Sequence, residues 1–123
     1  MKIKSHRDLD VYKLAFATGM SIFELSKVFP KEEMYSLTDQ ARRSSRSVCS
    51  NIAEAFRKRR YAKSFIAKLN DAEGEAAETQ VWIEFSLSCK YITKAQANKL
   101  YLEYEKIIGK LVTMSNHPEQ WSI

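Results

Sequence analysis

Phe56-Arg57-Lys58-Arg59-Arg60-Tyr61-Ala62-Lys63-Ser64-Phe65 decides how this chain folds, because it joins two long helical patterns and contains neither glycine nor proline. Apolar residues recur every three or four positions on both sides of it, so periodicity alone permits one helix over residues 36–89. At about 1.5 Å per residue that helix is on the order of 80 Å long. The rest of a 123-residue chain is too short to cover it. A turn is therefore expected at residues 60–63, with Ser64 as the cap of the helix that follows.

Upstream of the turn, Leu37, Ala41, Ser44, Val48, Ile52 and Phe56 form one stripe. Ser36 and Asp39 open it as an S-x-x-D start. The stripe is small-sided at Ala41, Ser44 and Ser45, which lets helix backbones approach closely. Downstream, Phe65, Leu69, Ala72, Ala76, Thr79, Ile83 and Ser86 alternate steps of four and three, the rhythm of bundles and coiled coils. Near the N-terminus, Leu9, Tyr12, Phe16, Gly19 and Phe23 form a stripe that Val11, Ala15, Ile22 and Leu25 broaden. Ser5 and Asp8 mark its start, and Pro30 its end. The last stripe is Leu100, Tyr104, Ile107, Ile108 and Leu111, behind a Thr93–Gln96 capping box.

These patterns predict helices at 8–28, 36–60, 64–89 and 94–115, with a short tail at 116–123. The expected fold is all-α: an antiparallel up-down-up-down four-helix bundle in a single domain spanning 1–123. Three glycines and two prolines are too few for the tight turns of an all-β chain. A hydrophobic share of 45% and a charged share of 28% are those of an ordinary globular domain.

The first ten residues are polar, no apolar signal-peptide core follows, and no apolar run approaches a membrane span. Cys49 and Cys89 lie in predicted helices. A cytoplasmic location with both thiols free, and no membrane association, is the expectation. Catalytic chemistry is not marked. His6 and His117 lie near the termini and complete no Glu-x-x-His pair of the di-iron kind. No glycine-rich phosphate loop is present, and no serine or cysteine has a marked base. No catalytic residue, metal or cofactor is expected.

Charge is the feature that points to a partner. The formal net charge is +5, with a pI near 9.2. Residues 42–68 hold nine basic side chains and a single acid, Glu54. Residues 69–84 hold five acids and no base. At about 100° per residue, Arg42, Arg46, Arg57 and Arg60 fall within roughly 60° of one another on a continuous helix. Arg42, Arg46, Arg57, Arg59, Arg60 and Lys63 are thus candidate phosphate contacts on a ridge about 27 Å long. The competing arrangement pairs these arginines with Asp71, Glu73, Glu75 and Glu78 of the same or a neighbouring chain, above all at Arg42 and Arg46. Asn51 and Glu54, three residues apart, are read as a buried hydrogen bond or as a polar contact shared with another subunit or RNA.

The run from Gln40 through Arg43, Asn51 and Ile52 to Glu54 resembles the four-helix-bundle family named for proteins encoded in 23S rRNA intervening sequences. Asp8-Leu9-Asp10-Val11-Tyr12, Phe29-Pro30-Lys31-Glu32-Glu33, Gly74-Glu75 and Glu78-Thr79-Gln80 extend the likeness in order along the chain. The resemblance implies a ring-shaped homopentamer without enzyme activity and a connection to RNA or the ribosome. It marks Gln40, Arg43, Asn51, Glu54, Glu75 and Glu78 as motif residues. Ala55 and Phe56 depart from it, since glycine is usual directly after the motif's glutamate. The expected function is that of a non-catalytic oligomeric bundle that binds RNA through the ridge. The alternative is a scaffold or adaptor that binds another protein through its acidic face and through Trp82, Phe85, Tyr101 and Tyr104.

Overall fold

Four α-helices account for most of the chain in the computed structural model, which describes residues 3–121. They are α1 (Asp10–Ser26), α2 (Leu37–Arg57), α3 (Ala62–Ser88) and α4 (Lys94–Asn116). Short 3-10 turns lie at His6–Asp8, Lys31–Glu33 and Pro118–Gln120, and no strand occurs among the described residues. The last two residues of the expected tail lie outside the described part.

Arginine ends α2, not glycine. Nη1 of Arg59 donates to the Phe56 carbonyl oxygen at 2.8 Å, and its guanidinium lies 3.7 Å from the centroid of the Phe56 ring. The amide of Tyr61 then closes the turn on the Lys58 carbonyl at 3.0 Å. The break therefore falls at residues 58–61, slightly ahead of the expected place. Ser64 lies inside the first turn of α3 and is not its cap. Tyr61 occupies that position and makes no side-chain cap bond.

The other helix starts depend on which oxygen reaches the free amides. Thr93 and Gln96 form the expected reciprocal box: Gln96 N donates to Thr93 Oγ1 (3.1 Å) and Thr93 N to Gln96 Oε1 (2.9 Å). Ser5 and Asp8 also form a box, but it closes the 3-10 turn, and α1 begins later behind Leu9. Ser36 does not cap α2. Its hydroxyl donates to Oε1 of Glu33 at 2.6 Å, and that oxygen also takes the Leu37 amide at 3.3 Å.

Helices α1 and α2 pack together, as do α2 and α3, and α3 and α4, while α4 also meets α1. The apolar stripes of α2 and α3 are buried as spaced. Phe56 belongs to this core at 4% exposure. In α1 the buried face is Val11, Ala15, Thr18 and Ile22. The stripe expected to lead, Tyr12, Phe16 and Phe23, is only partly covered, and Phe16 is 52% exposed. The reason is that α1 is apolar around most of its girth, so period alone does not select a face.

The helices with small stripes are also joined by a polar bond. Thr79 donates its hydroxyl proton to the Glu75 carbonyl at 2.9 Å, so at 2.7 Å it accepts from Ser44 of α2. Elsewhere, Thr18 Oγ1 lies 2.9 Å from Glu103 Oε2 across α1 and α4. Gln80 Nε2 donates to Glu105 Oε1 at 2.9 Å across α3 and α4.

Candidate nucleic-acid interface

The basic block divides between α2 and the turn that follows it. Arg42 and Arg46 face α1, where their guanidinium carbons lie 4.8 and 5.8 Å from the centroid of the Phe23 ring. Arg42 Nε also donates to Ser26 Oγ at 2.8 Å. Both arginines stand over an aromatic face, which attracts a cation. Among the described residues neither has an acid within 4 Å, so the competing pairing with acids of α3 is not made within the chain.

Further along, Arg57, Lys58, Arg60 and Lys63 are exposed around the α2–α3 turn. They too have no acid within ion-pair distance among the described residues. Arg59 is half-buried and held on Phe56. Arg60 lies beyond the end of α2, so helical projection does not place it in line with Arg42. Arg46 and Arg57 are roughly 16 Å apart along the helix axis. Arg42, Arg46 and Arg57 thus share one face of α2, with Arg46 and Arg57 exposed and Arg42 half-buried against α1, while Arg60 and Lys63 belong to the turn and the helix after it.

The acids of α3 have other neighbours. Lys68 is the basic residue that crosses to an acid, reaching Glu54 at 3.2 Å and Asp71 at 3.8 Å. Glu78 accepts from Trp82 Nε1 at 3.2 Å. Glu73 and Glu75 are half-buried. Of the motif residues, Gln40 and Arg43 are exposed, with Arg43 lying 3.8 Å from Asp39. Asn51 Nδ2 donates to the Ser47 carbonyl at 2.9 Å, a bond within α2. Asn51 and Glu54 thus have separate partners and do not bond to each other.

The tertiary structure adds basic groups that charge counting passed over. The N-terminal segment lies against the end of α2, and a groove of about 390 Å³ between them is lined by Lys4, Ser5 and His6 on one side and Ala53, Glu54, Phe56 and Arg57 on the other. Lys4 is exposed there, and Arg7 is exposed on the same segment. Asp8 holds the segment by accepting the Lys4 and Ser5 amides at 2.9 and 3.2 Å. Those two bonds keep its carboxyl below the usual carboxylate range. The basic residues near the N-terminus are visible in sequence. Their position beside Arg57 is not.

The aromatics proposed for a protein partner separate as well. Tyr104 is fully buried and belongs to the core. Trp82 is half-buried, and Phe85 and Tyr101 are exposed. A groove of about 320 Å³ runs between α1 and α2, lined by Tyr12, Phe16, Met20, Phe23, Arg46 and Ala53 among others. Among the described residues no helix is long and apolar enough to cross a membrane, and no cluster of three His, Cys, Asp or Glu side chains is placed to hold a metal. Cys49 and Cys89 are both free. Burial pushes the Cys49 thiol up to about 11, away from the reactive thiolate form.

No curated protein matches the chain. Among solved structures, the chain is similar to a protein of unknown function from the S23 ribosomal protein family of Bacteroides thetaiotaomicron VPI-5482. The two are 29% identical with a TM-score of 0.77, over 86% of this chain and 95% of that one. The family model described as 23S rRNA-intervening sequence protein matches residues 7–113. With its four helices and a match over most of its length, the chain belongs to the 23S rRNA-intervening sequence protein family.

Proposed function

We propose that this protein is a non-catalytic, cytoplasmic, homo-oligomeric helical bundle that binds RNA, in association with rRNA or the ribosome. The observation that carries the reading is the exposed cluster of Arg57, Lys58, Arg60 and Lys63, which no acid neutralises among the described residues. Cations held at a turn without local partners are suited to phosphate, and arginine pairs phosphate oxygens bidentately. Exposed Lys4 extends the cluster across the groove it lines with Arg57. The family name and the S23 ribosomal relative support the same direction.

The helices are proposed to run antiparallel, up-down-up-down. The short links and the packing of each helix on the next support this. A pentamer is the proposed assembly. The partly uncovered Tyr12, Phe16, Met20 and Phe23 face of α1 supports association, because apolar surface of this kind is commonly covered in an oligomer. The same face, with Phe85, supports the second reading of an adaptor for another protein.

The test is fluorescence anisotropy with labelled structured RNA at low and near-physiological salt. Wild type is compared with a variant carrying Arg57→Glu, Arg60→Glu and Lys63→Glu, and circular dichroism checks that the variant folds. Binding that weakens steeply with salt and vanishes in the variant is the expected result. No binding by wild type near physiological salt overturns the reading in favour of the adaptor.

A further inference from the structure

We propose that the α2–α3 turn is a subsite for an unpaired RNA base, with Tyr61 as the stacking platform and Arg57, Arg60 and Lys63 as contacts to the flanking phosphates. This rests on the RNA-binding reading above and specifies the kind of RNA: single-stranded, looped or bulged.

Tyr61 has no evident structural role for its ring. It stands at the N-cap of α3, where Ser, Thr, Asp or Asn would bond the free amides, and its side chain makes no such bond. The residue is 63% exposed. Among the described residues its ring stacks on no other ring and its hydroxyl has no hydrogen-bond partner. A large aromatic ring is thus presented to solvent between basic residues on both sides in sequence.

The turn that carries it is held in shape. Arg59 is fixed on Phe56 by a 2.8 Å hydrogen bond and a 3.7 Å ring contact. The backbone of Tyr61 is anchored at both polar groups: its amide donates to Lys58 O at 3.0 Å, and its carbonyl accepts from Phe65 N at 2.9 Å. A fixed backbone lowers the entropy lost when a base docks.

Exposure alone does not pick out Tyr61. Tyr35 is 89% exposed, but its link carries Glu32 and Glu33 as well as Lys31, so it lacks a cationic surround. At Tyr61 the exposed ring has the unpaired cations within four residues of it, on and beside a short turn. Aromatic platforms beside basic groups are how single strands are held without sequence readout. In an A-form duplex the base faces are occupied by stacking, and only phosphates and groove edges remain. A ring at the turn therefore favours RNA with unstacked bases.

The experiment uses the full chain with a labelled unstructured oligouridine and a labelled RNA duplex of equal length. Proteins are wild type, Tyr61→Ala, Tyr61→Phe and the Arg57, Arg60, Lys63 to Glu variant. Anisotropy gives the affinities, circular dichroism the fold and light scattering the mass. Wild type is expected to prefer the single strand. Tyr61→Ala should weaken single-strand binding about tenfold and leave duplex binding unchanged, while Tyr61→Phe keeps wild-type affinity. If Tyr61→Ala matches wild type on both RNAs while the charge variant loses both, the stacking subsite is overturned and the RNA-binding reading stands. Should wild type bind neither RNA near physiological salt, both fall. A change of mass in Tyr61→Ala with single-strand affinity retained assigns the ring to an interface between copies and also overturns the proposal.

Discussion

Tyr91 donates its hydroxyl proton to Oε2 of Glu33 at 2.9 Å, joining the link between α3 and α4 to the link between α1 and α2. The Phe29 and Tyr91 rings lie 5.4 Å apart in the same cluster. The other oxygen of Glu33 accepts from Ser36 and from the first amide of α2. One carboxylate thus serves both a helix start and a clasp between distant segments.

The clasp predicts opposite pH limbs. The Ser36 hydroxyl first, and the Tyr91 hydroxyl after it, hold the Glu33 carboxyl below its usual range. A depressed carboxyl stabilises the fold above its unfolded value, and that contribution is lost as pH falls through the folded one. The Glu33 hydrogen bond pushes Tyr91 up to about 12. That contribution is complete below the ordinary tyrosine value near 10 and is lost as pH rises toward about 12. In thermal melts across pH, Tyr91→Phe is expected to lower the melting temperature at neutral pH and to remove the alkaline contribution, while the Ser36 bond keeps the larger part of the acid one. An alkaline limb as steep as that of wild type would refute the coupling.

Ser44 and Thr79 predict an asymmetry. Thr79→Val removes the acceptor of the buried Ser44 hydroxyl, whose remaining contact, the Ala41 carbonyl, is 3.5 Å away. Ser44→Ala leaves Thr79 bonded to Glu75. A stranded buried donor costs about 1–3 kcal/mol, more than a hydrogen bond removed cleanly. Urea unfolding should rank Thr79→Val as the more damaging change, and the double variant as less damaging than the sum. Equal losses would contradict the donor assignment.

Tyr104 is fully buried, and its hydroxyl has no partner among the described residues. Burial raises its pKa far above the ordinary tyrosine value. Removing an unpaired buried hydroxyl should cost nothing, so Tyr104→Phe is expected to be neutral or to stabilise by up to about 1 kcal/mol. A clear fall in melting temperature would mean that the hydroxyl is bonded in solution.

The two arginine groups should separate in mutagenesis. Arg42→Ala removes the bond to Ser26 and the contact with Phe23. It is expected to lower stability by about 1–2 kcal/mol. Changing exposed Arg57, Arg60 and Lys63 should leave stability nearly unchanged, since surface substitutions away from such contacts stay within about 0.5 kcal/mol each. Chemical denaturation beside RNA titration checks both. If loss of stability and loss of binding follow the same residues, the division is wrong.

In α2 one apolar stripe stands against a polar remainder, so the helical period names the buried face. In α3 and α4 the three-and-four spacing picks out the buried positions although other apolar residues lie off the stripe. The Thr93–Gln96 box was legible because capping joins residues three apart. For α1 the same reasoning put Tyr12, Phe16 and Phe23 first, and the residues that broadened their stripe, Val11, Ala15 and Ile22, are the buried positions. Two apolar faces compete there, and neighbouring helices decide between them. Ser36 and Asp8 looked like caps of the long helices, but Glu33 reaches the α2 amides instead and Asp8 closes an earlier turn.

Helix count, the need for a break near residue 60 and the basic block at 42–68 were determined by the sequence alone. Propensity, period and charge belong to residues close together in the chain. Tertiary structure alone decided which cations face solvent. Arg42 is half-buried against Phe23, a residue about twenty positions away, while Arg46 stays exposed beside the same ring. Lys4 comes to line a groove with Arg57 because the N-terminal segment packs beside the end of α2, more than forty positions away. Exposure and partnering depend on groups that are distant in sequence, and only packing brings those groups together.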